Sequence, residues 1–178
     1  MNKKLRLLVT TRCPNKCPMC CNNSWDFDKL PVVDRWNYEE IMITGGEPLL
    51  FNDSLLGLVL SIEDITKVMG NSPKIFIYTS VCNYEKVLNI LPHISGIVLT
   101  PHKESDIENF IQLNDFLGLR KNYFYVENAS LRLNLFPDMK ALLPKDIDLS
   151  LWQVKNMEWV ENCPVPEGED FRRIANLW

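Results

Sequence analysis

The sequence is short of several things, and each shortage narrows what the chain can be. None of its 178 residues fall in an apolar run approaching the roughly 18 needed to span a membrane. Basic residues are outnumbered, 19 Lys and Arg against 23 Asp and Glu, and a net charge of −4 offers nucleic acid no broad basic surface. Low-complexity tracts are missing. With 46% hydrophobic and 24% charged residues, the composition is that of one globular domain, residues 1–178, rather than of a disordered chain. The apolar stretch behind Met1-Asn2-Lys3-Lys4 is short and runs into a cysteine motif, so no cleavable signal peptide is expected. Six cysteines without a secretory signal argue against a disulfide framework. A reducing compartment, the cytoplasm, is the expectation.

What the chain does have is a regular alternation of short β-prone runs and helical patterns. Strands are predicted over 5–11, 41–44, 74–80, 94–100 and 130–135, with a less regular sixth within 152–160. Helices fall between them. Leu55, Leu56, Val59, Ile62 and Ile65 recur at helical spacing behind a cap at Asp53 or Ser54, a helix from Tyr84 stops at Pro92, and Ser105 with Glu108 has the form of a capping box. This pitch predicts an α/β fold of parallel strands with outer helices. In the fifth strand Leu131, Leu133 and Leu135 share one face while Arg132 and Asn134 share the other. That polar face looks either into a lumen or, at a sheet edge, into solvent. For 152–178 a capping C-terminal helix is expected.

Chemistry concentrates in two motifs. Cys13, Cys17 and Cys20 are spaced C-x₃-C-x₂-C directly after the first strand. Soft thiolates at such spacing select an iron-sulfur cluster or zinc, and three of them on one loop can hold three irons of a 4Fe-4S cluster with the fourth iron open. One strand later, Gly45-Gly46-Glu47-Pro48 ends the second strand at the rim where α/β proteins bind ligands. The glycines permit close backbone approach and Pro48 fixes the exit. Cys82 and Cys163 read as small buried hydrophobes, and Cys21 as a neighbour of Cys20 rather than a ligand.

The two motifs in succession resemble those of the radical S-adenosylmethionine enzymes. The resemblance spans most of the chain and implies a partial (β/α)₆ TIM-like barrel. It implies a 4Fe-4S cluster on Cys13, Cys17 and Cys20, S-adenosylmethionine on the open iron, and reductive cleavage to methionine and a 5′-deoxyadenosyl radical that takes hydrogen from a substrate. It further implies that Gly45, Gly46, Glu47 and Pro48 meet the methionine end of the cofactor, with Met19 near its adenine. Ser80, Thr100, His102, Arg132 and Asn134 occupy strand ends where such enzymes hold ribose and carboxylate. Glu47 suits the ammonium and Arg132 the carboxylate, so loss of Arg132 is expected to weaken cofactor binding without loss of the cluster. A one-electron donor such as flavodoxin or ferredoxin is implied, and the substrate is a peptide, a protein or a small molecule. No catalytic side chain is singled out.

Two other functions compete. Cys20-Cys21-Asn22-Asn23-Ser24-Trp25 faintly resembles the segment after the cluster motif in activases of anaerobic ribonucleotide reductase, which install a glycyl radical; the glycine-rich lead-in of those enzymes is missing here. A non-catalytic zinc module would use Cys13, Cys17, Cys20 and one of Cys21, Cys82 or Cys163. It leaves Gly45 to Pro48 unexplained.

Overall fold

A computed structural model describes residues 3–17, 19, 20, 23, 25–160 and 165–178. Its strands are β1 (Lys4–Thr10), β2 (Glu40–Gly45), β3 (Lys74–Thr79), β4 (Gly96–Leu99), β5 (Ser130–Leu135), β6 (Gln153–Asn156) and β7 (Glu169–Arg173), and its helices α1 (Asn52–Val68), α2 (Tyr84–Ile90), α3 (Glu104–Gly118), α4 (Phe124–Glu127) and α5 (Pro137–Ala141). The strands form one all-parallel sheet in the order β6-β5-β4-β3-β2-β1-β7. The fold is therefore α/β with an open sheet, since no ladder joins β6 to β7 among the described residues.

The period of two along each strand sorts side chains onto two faces with different company. Leu5, Leu7, Ile41, Ile43, Ile75, Ile77, Ile97, Leu99, Leu131 and Leu133 share one buried cluster with Leu55, Val59 and Ile62 of α1, Val87 and Ile90 of α2, and Ile107, Phe110 and Leu113 of α3. Helices thus pack on that face. The opposite face carries Arg6, Thr44, Tyr78, Val98, Arg132 and Asn134, which line a cavity. β5 lies between β4 and β6, so its polar face is no solvent-facing edge but the wall of that cavity.

Helix entries depart from the sequence expectation. The chain reaches α1 through a 3-10 turn, Pro48–Phe51, capped by the Glu47 carboxylate, which accepts from the Leu49 amide, and Phe51 rather than Asp53 or Ser54 stands at the N-cap of α1. Lys103 precedes α3, which puts Ser105 inside the helix; the capping box does not form, and the Asp106 carboxylate accepts from the His102 amide at 3.0 Å instead. Asn83 caps α2 through the Lys86 amide.

The expected C-terminal helix is replaced by strands. β7 has no apolar alternation, and its place beside β1 is held by charge. Arg6 Nε donates to Glu169 at 2.7 Å, while Asp170 accepts from Tyr38 at 2.6 Å and from Arg172 at 2.9 Å. The outer edge of β7 is covered by Pro31 to Val33 through two backbone hydrogen bonds at Arg173, which blunts an otherwise open edge. Burial opposes ionisation of Asp170, but hydrogen bonds from Tyr38, Arg172 and Arg35 outweigh it and hold the carboxyl below the usual carboxylate range. A depressed carboxyl contributes stability that is present above its unfolded pKa, about 3.9, and is lost as pH falls through its folded value. Asp170→Asn is expected to cost about 1–2 kcal/mol at pH 7 by urea unfolding, with the difference from wild type shrinking below about pH 4.

Candidate functional site

The cysteine loop leaves β1 at an irregularity in the ladder, where the register with β2 shifts between Leu8 and Thr10. From there it is joined to the end of β2 backbone to backbone. The Gly46 amide donates to the Thr10 carbonyl at 2.6 Å and the Glu47 amide to the Arg12 carbonyl at 2.8 Å. Such proximity leaves no room for side chains. A Cβ on Gly45 would sit 2.3 Å from the Thr10 oxygen, and one on Gly46 would sit 2.2 Å from the Arg12 oxygen. Gly45 also has φ of +135°, which L side chains rarely adopt. The glycines thus admit the cysteine loop itself to the strand end.

Glu47 is tied into the scaffold at the strand ends. It is 1% exposed, and its carboxylate is filled by this chain's own donors. Oε1 accepts from the Leu49 amide at 3.1 Å and from the Thr79 hydroxyl; Oε2 accepts from the Ser80 amide and hydroxyl, each at 2.8 Å. A carboxylate offers about four acceptor positions, so none remains for an ammonium group. The Glu47 side chain, expected to meet an ammonium group, is thus engaged by donors of this chain while still bordering the cavity at the strand ends. Asn15 of the cysteine loop donates to Ser80 Oγ at 2.8 Å, so the network ties that loop to β3 as well.

Cys13, Cys17, Cys20 and Met19 form one side of a cavity of about 360 Å³. Gly45, Gly46 and Ser80 border it across the strand ends, and Thr100, His102 and Asn134 complete its far wall. Eleven of the thirteen residues singled out from the sequence meet there when Glu47 is counted at the floor. Pro48 and Arg132 do not. Pro48 is buried at the start of its 3-10 turn. Asn134 Nδ2 donates to the Thr100 hydroxyl at 3.2 Å, joining the ends of β4 and β5.

An aromatic wall stands beside them. Phe136 and Trp159 stack at 4.0 Å between centroids with 12° between planes, and His102 lies 5.6 and 5.7 Å from the two rings. His102 Nδ1 is buried and has no hydrogen-bond partner among the described residues. Burial lowers the His102 pKa against the opposing charges of Asp106 and Asp138, which keeps the imidazole neutral near pH 7. Phe136 and Trp159 are functional-site residues that the sequence expectation omitted. Alternation along β5 places Phe136 two residues beyond Asn134 on the cavity face, so it was findable; Trp159 follows β6 without a pattern.

Arg132 lies deeper, in a second cavity of about 600 Å³ that adjoins the first through Thr44, Gly45, Tyr78 and Asn134. Its Nε donates to Ser130 Oγ at 3.1 Å and its guanidinium lies 4.8 Å from the Phe76 ring. Of the residues read as contacting the cofactor, Arg132 lines only the larger cavity, while Gly45 and Asn134 line both.

The thiols show what the loop is suited to hold. Burial raises the Cys17 pKa to about 11, with the neighbouring Cys20 and Cys13 adding to the shift, and burial also raises that of Cys13. Each thiolate opposes the next, a conflict that a cationic iron or zinc centre resolves. Among the described residues no three His, Cys, Asp or Glu side chains form a group that could hold a metal ion. Cys82 belongs to the helix-side core, where burial holds its thiol well above the ordinary range. It is no part of the cysteine loop's site. Cys21 and Cys163 lie outside the described residues. In the metal-free chain, Cys17 is expected to react with iodoacetamide at pH 8 roughly tenfold more slowly than a free cysteine, the loss of thiolate being partly offset by higher nucleophilicity. Peptide mapping of the alkylated protein reads that rate directly.

No protein-family model matches the chain, and no curated protein matches it. Among the described residues no helix is long and apolar enough to cross a membrane.

Proposed function

We propose that the chain is a radical S-adenosylmethionine enzyme. The observation that carries this is the meeting of Cys13, Cys17 and Cys20 with the Gly45–Gly46 turn across one cavity at the C-terminal ends of parallel strands. The donor set fits a 4Fe-4S cluster, and the orphaned His102 Nδ1 beside flat aromatic surface fits the heterocycle of the cofactor. When bound, the cluster and S-adenosylmethionine supply an electron and a cleavable sulfonium bond, from which comes a carbon radical that abstracts hydrogen from substrate. This chain's residues position and shield. Glu47 and Ser80 hold the cysteine loop, Gly45 and Gly46 leave backbone accessible to the methionine end, and Met19, Phe136 and Trp159 exclude water.

A partial barrel supports the same function. The larger cavity is lined by side chains from every strand, from Lys155 on β6 to Phe171 on β7. Six strand gaps in a flat sheet would span roughly 29 Å, and the sharing of one cavity by residues of both edge strands supports reading the open sheet as curled into a partial barrel. The electron donor is proposed to be a flavodoxin or ferredoxin, reaching the cluster where the cysteine loop is half-exposed.

Anaerobic reconstitution with iron and sulfide tests the cluster. Expected are a brown protein with about four irons per chain and a reduced-state paramagnetic resonance spectrum that S-adenosylmethionine perturbs. A colourless protein holding one zinc would establish the structural-module alternative instead.

A further inference from the structure

The larger cavity has a chemical character of its own. Its lining among the described residues includes three cations, Arg6, Arg132 and Lys155, against the single acid Glu169. Arg6 is spent on Glu169 at 2.7 Å. Arg132 is not: its polar partner is the Ser130 hydroxyl, and no acidic side chain pairs with it among the described residues. A half-buried guanidinium held by a hydroxyl and an aromatic ring, with no carboxylate partner among the described residues, is suited to pair with an anion. The same cavity carries aromatic residues: Trp25 and Phe171 meet edge to face at 5.1 Å, Phe27 also lines it, and Tyr78 lines both cavities.

We infer that this cavity is the substrate subsite and that it selects a small, flat, ring-bearing acid, a carboxylate or phosphate on an aromatic or heteroaromatic ring. The acid group pairs with Arg132 while the ring lies among Trp25, Phe27 and Phe171. Lys155, exposed on β6, adds to the attraction at the mouth. The inference rests on the enzyme proposed above for the direction of the chemistry: the ring's exposed edge is presented past Tyr78 and Asn134 to the compartment bounded by the cysteines. It also reassigns Arg132 from cofactor to substrate.

Calorimetric titration of the full chain, metal-free and reconstituted, tests it with four probes: 2-naphthoate, 2-naphthyl phosphate, 2-naphthamide and cyclohexanecarboxylate. At least one naphthyl acid is expected to bind at least tenfold more tightly than the uncharged amide and than the non-aromatic acid, and the better of the two acids distinguishes carboxylate from phosphate as the natural group. Arg132→Ala is expected to abolish that preference and Arg132→Lys to keep part of it, with circular dichroism confirming that both fold. Equal affinity for acid and amide, no binding by any probe at millimolar concentration, or naphthyl acid binding unchanged in Arg132→Ala would overturn the inference. So would a tenfold loss of S-adenosylmethionine affinity in Arg132→Ala with ring-acid affinity intact. Arginine-dependent ring-acid binding supports the subsite even in a preparation that never cleaves S-adenosylmethionine, an outcome that counts against the radical chemistry alone.

Discussion

Glu47→Ala is expected to lose about 4 kcal/mol of stability, read as a fall in the urea midpoint at constant slope. The substitution removes one side chain but strands four donors, the amides of Leu49 and Ser80 and the hydroxyls of Thr79 and Ser80. Hydroxyls can turn to other acceptors; buried amides cannot, and each left unsatisfied costs about 1–3 kcal/mol. Glu47→Gln separates charge from shape. Whichever position the amide nitrogen takes, it faces the Leu49 or the Ser80 N–H donor to donor, so this near-isosteric variant still loses about 2–3 kcal/mol. Had Glu47 faced a ligand instead, either variant would retain wild-type stability and lose only cofactor affinity. The two roles are therefore separable in the metal-free chain by denaturation alone.

Gly46→Ala carries the second large effect, and it acts on the cysteine loop. The added Cβ would lie 2.2 Å from the Arg12 carbonyl oxygen and 2.6 Å from its carbon, backbone atoms that no rotamer change can move. Either the Glu47 amide releases Arg12 or the loop shifts as a body. Both break the junction between β2 and the loop that bears the thiols. A destabilisation of about 3 kcal/mol or more is expected. Iron retention should fall further than stability does, because cluster ligation needs Cys13, Cys17 and Cys20 in fixed relation while folding needs only the helix-side core. Iron content after reconstitution, compared between Gly46→Ala and Gly57→Ala, is the measurement. Gly57 has nothing within 4 Å of an added Cβ and is the control expected to load normally.

Local patterns carried most of this architecture into the sequence. β1 to β5 are legible because their helix-facing positions are aliphatic, whereas the polar alternate positions of β5 left a lumen and a solvated edge both open, and only its place between β4 and β6 decides for a cavity wall. β7 was illegible: Glu169-Asp170-Phe171-Arg172-Arg173 has no apolar face, and its partners Arg6, Asp34, Arg35 and Tyr38 lie more than 130 residues away. The same distance effect hides the role of Glu47. Gly-Gly-Glu-Pro read alone suggests a carboxylate presented at a rim, whereas Thr79 and Ser80, contributed by the end of another strand, turn it inward. Arg132 shows a third limit, since alternation gives the face a side chain occupies but not which cavity on that face it lines. Only Leu133 separates Arg132 from Asn134, yet Arg132 lines only the larger cavity while Asn134 lines both.

The cysteine loop and the glycine turn are proposed to enclose a reactive cofactor. Reconstituted protein, reduced anaerobically with dithionite in the presence of S-adenosylmethionine, is expected to release 5′-deoxyadenosine and methionine, detectable by chromatography, and Cys17→Ser is expected to release none. A wild-type protein with a full complement of four irons and sulfide that yields no 5′-deoxyadenosine, or a Cys17→Ser variant that yields as much as wild type, would contradict it.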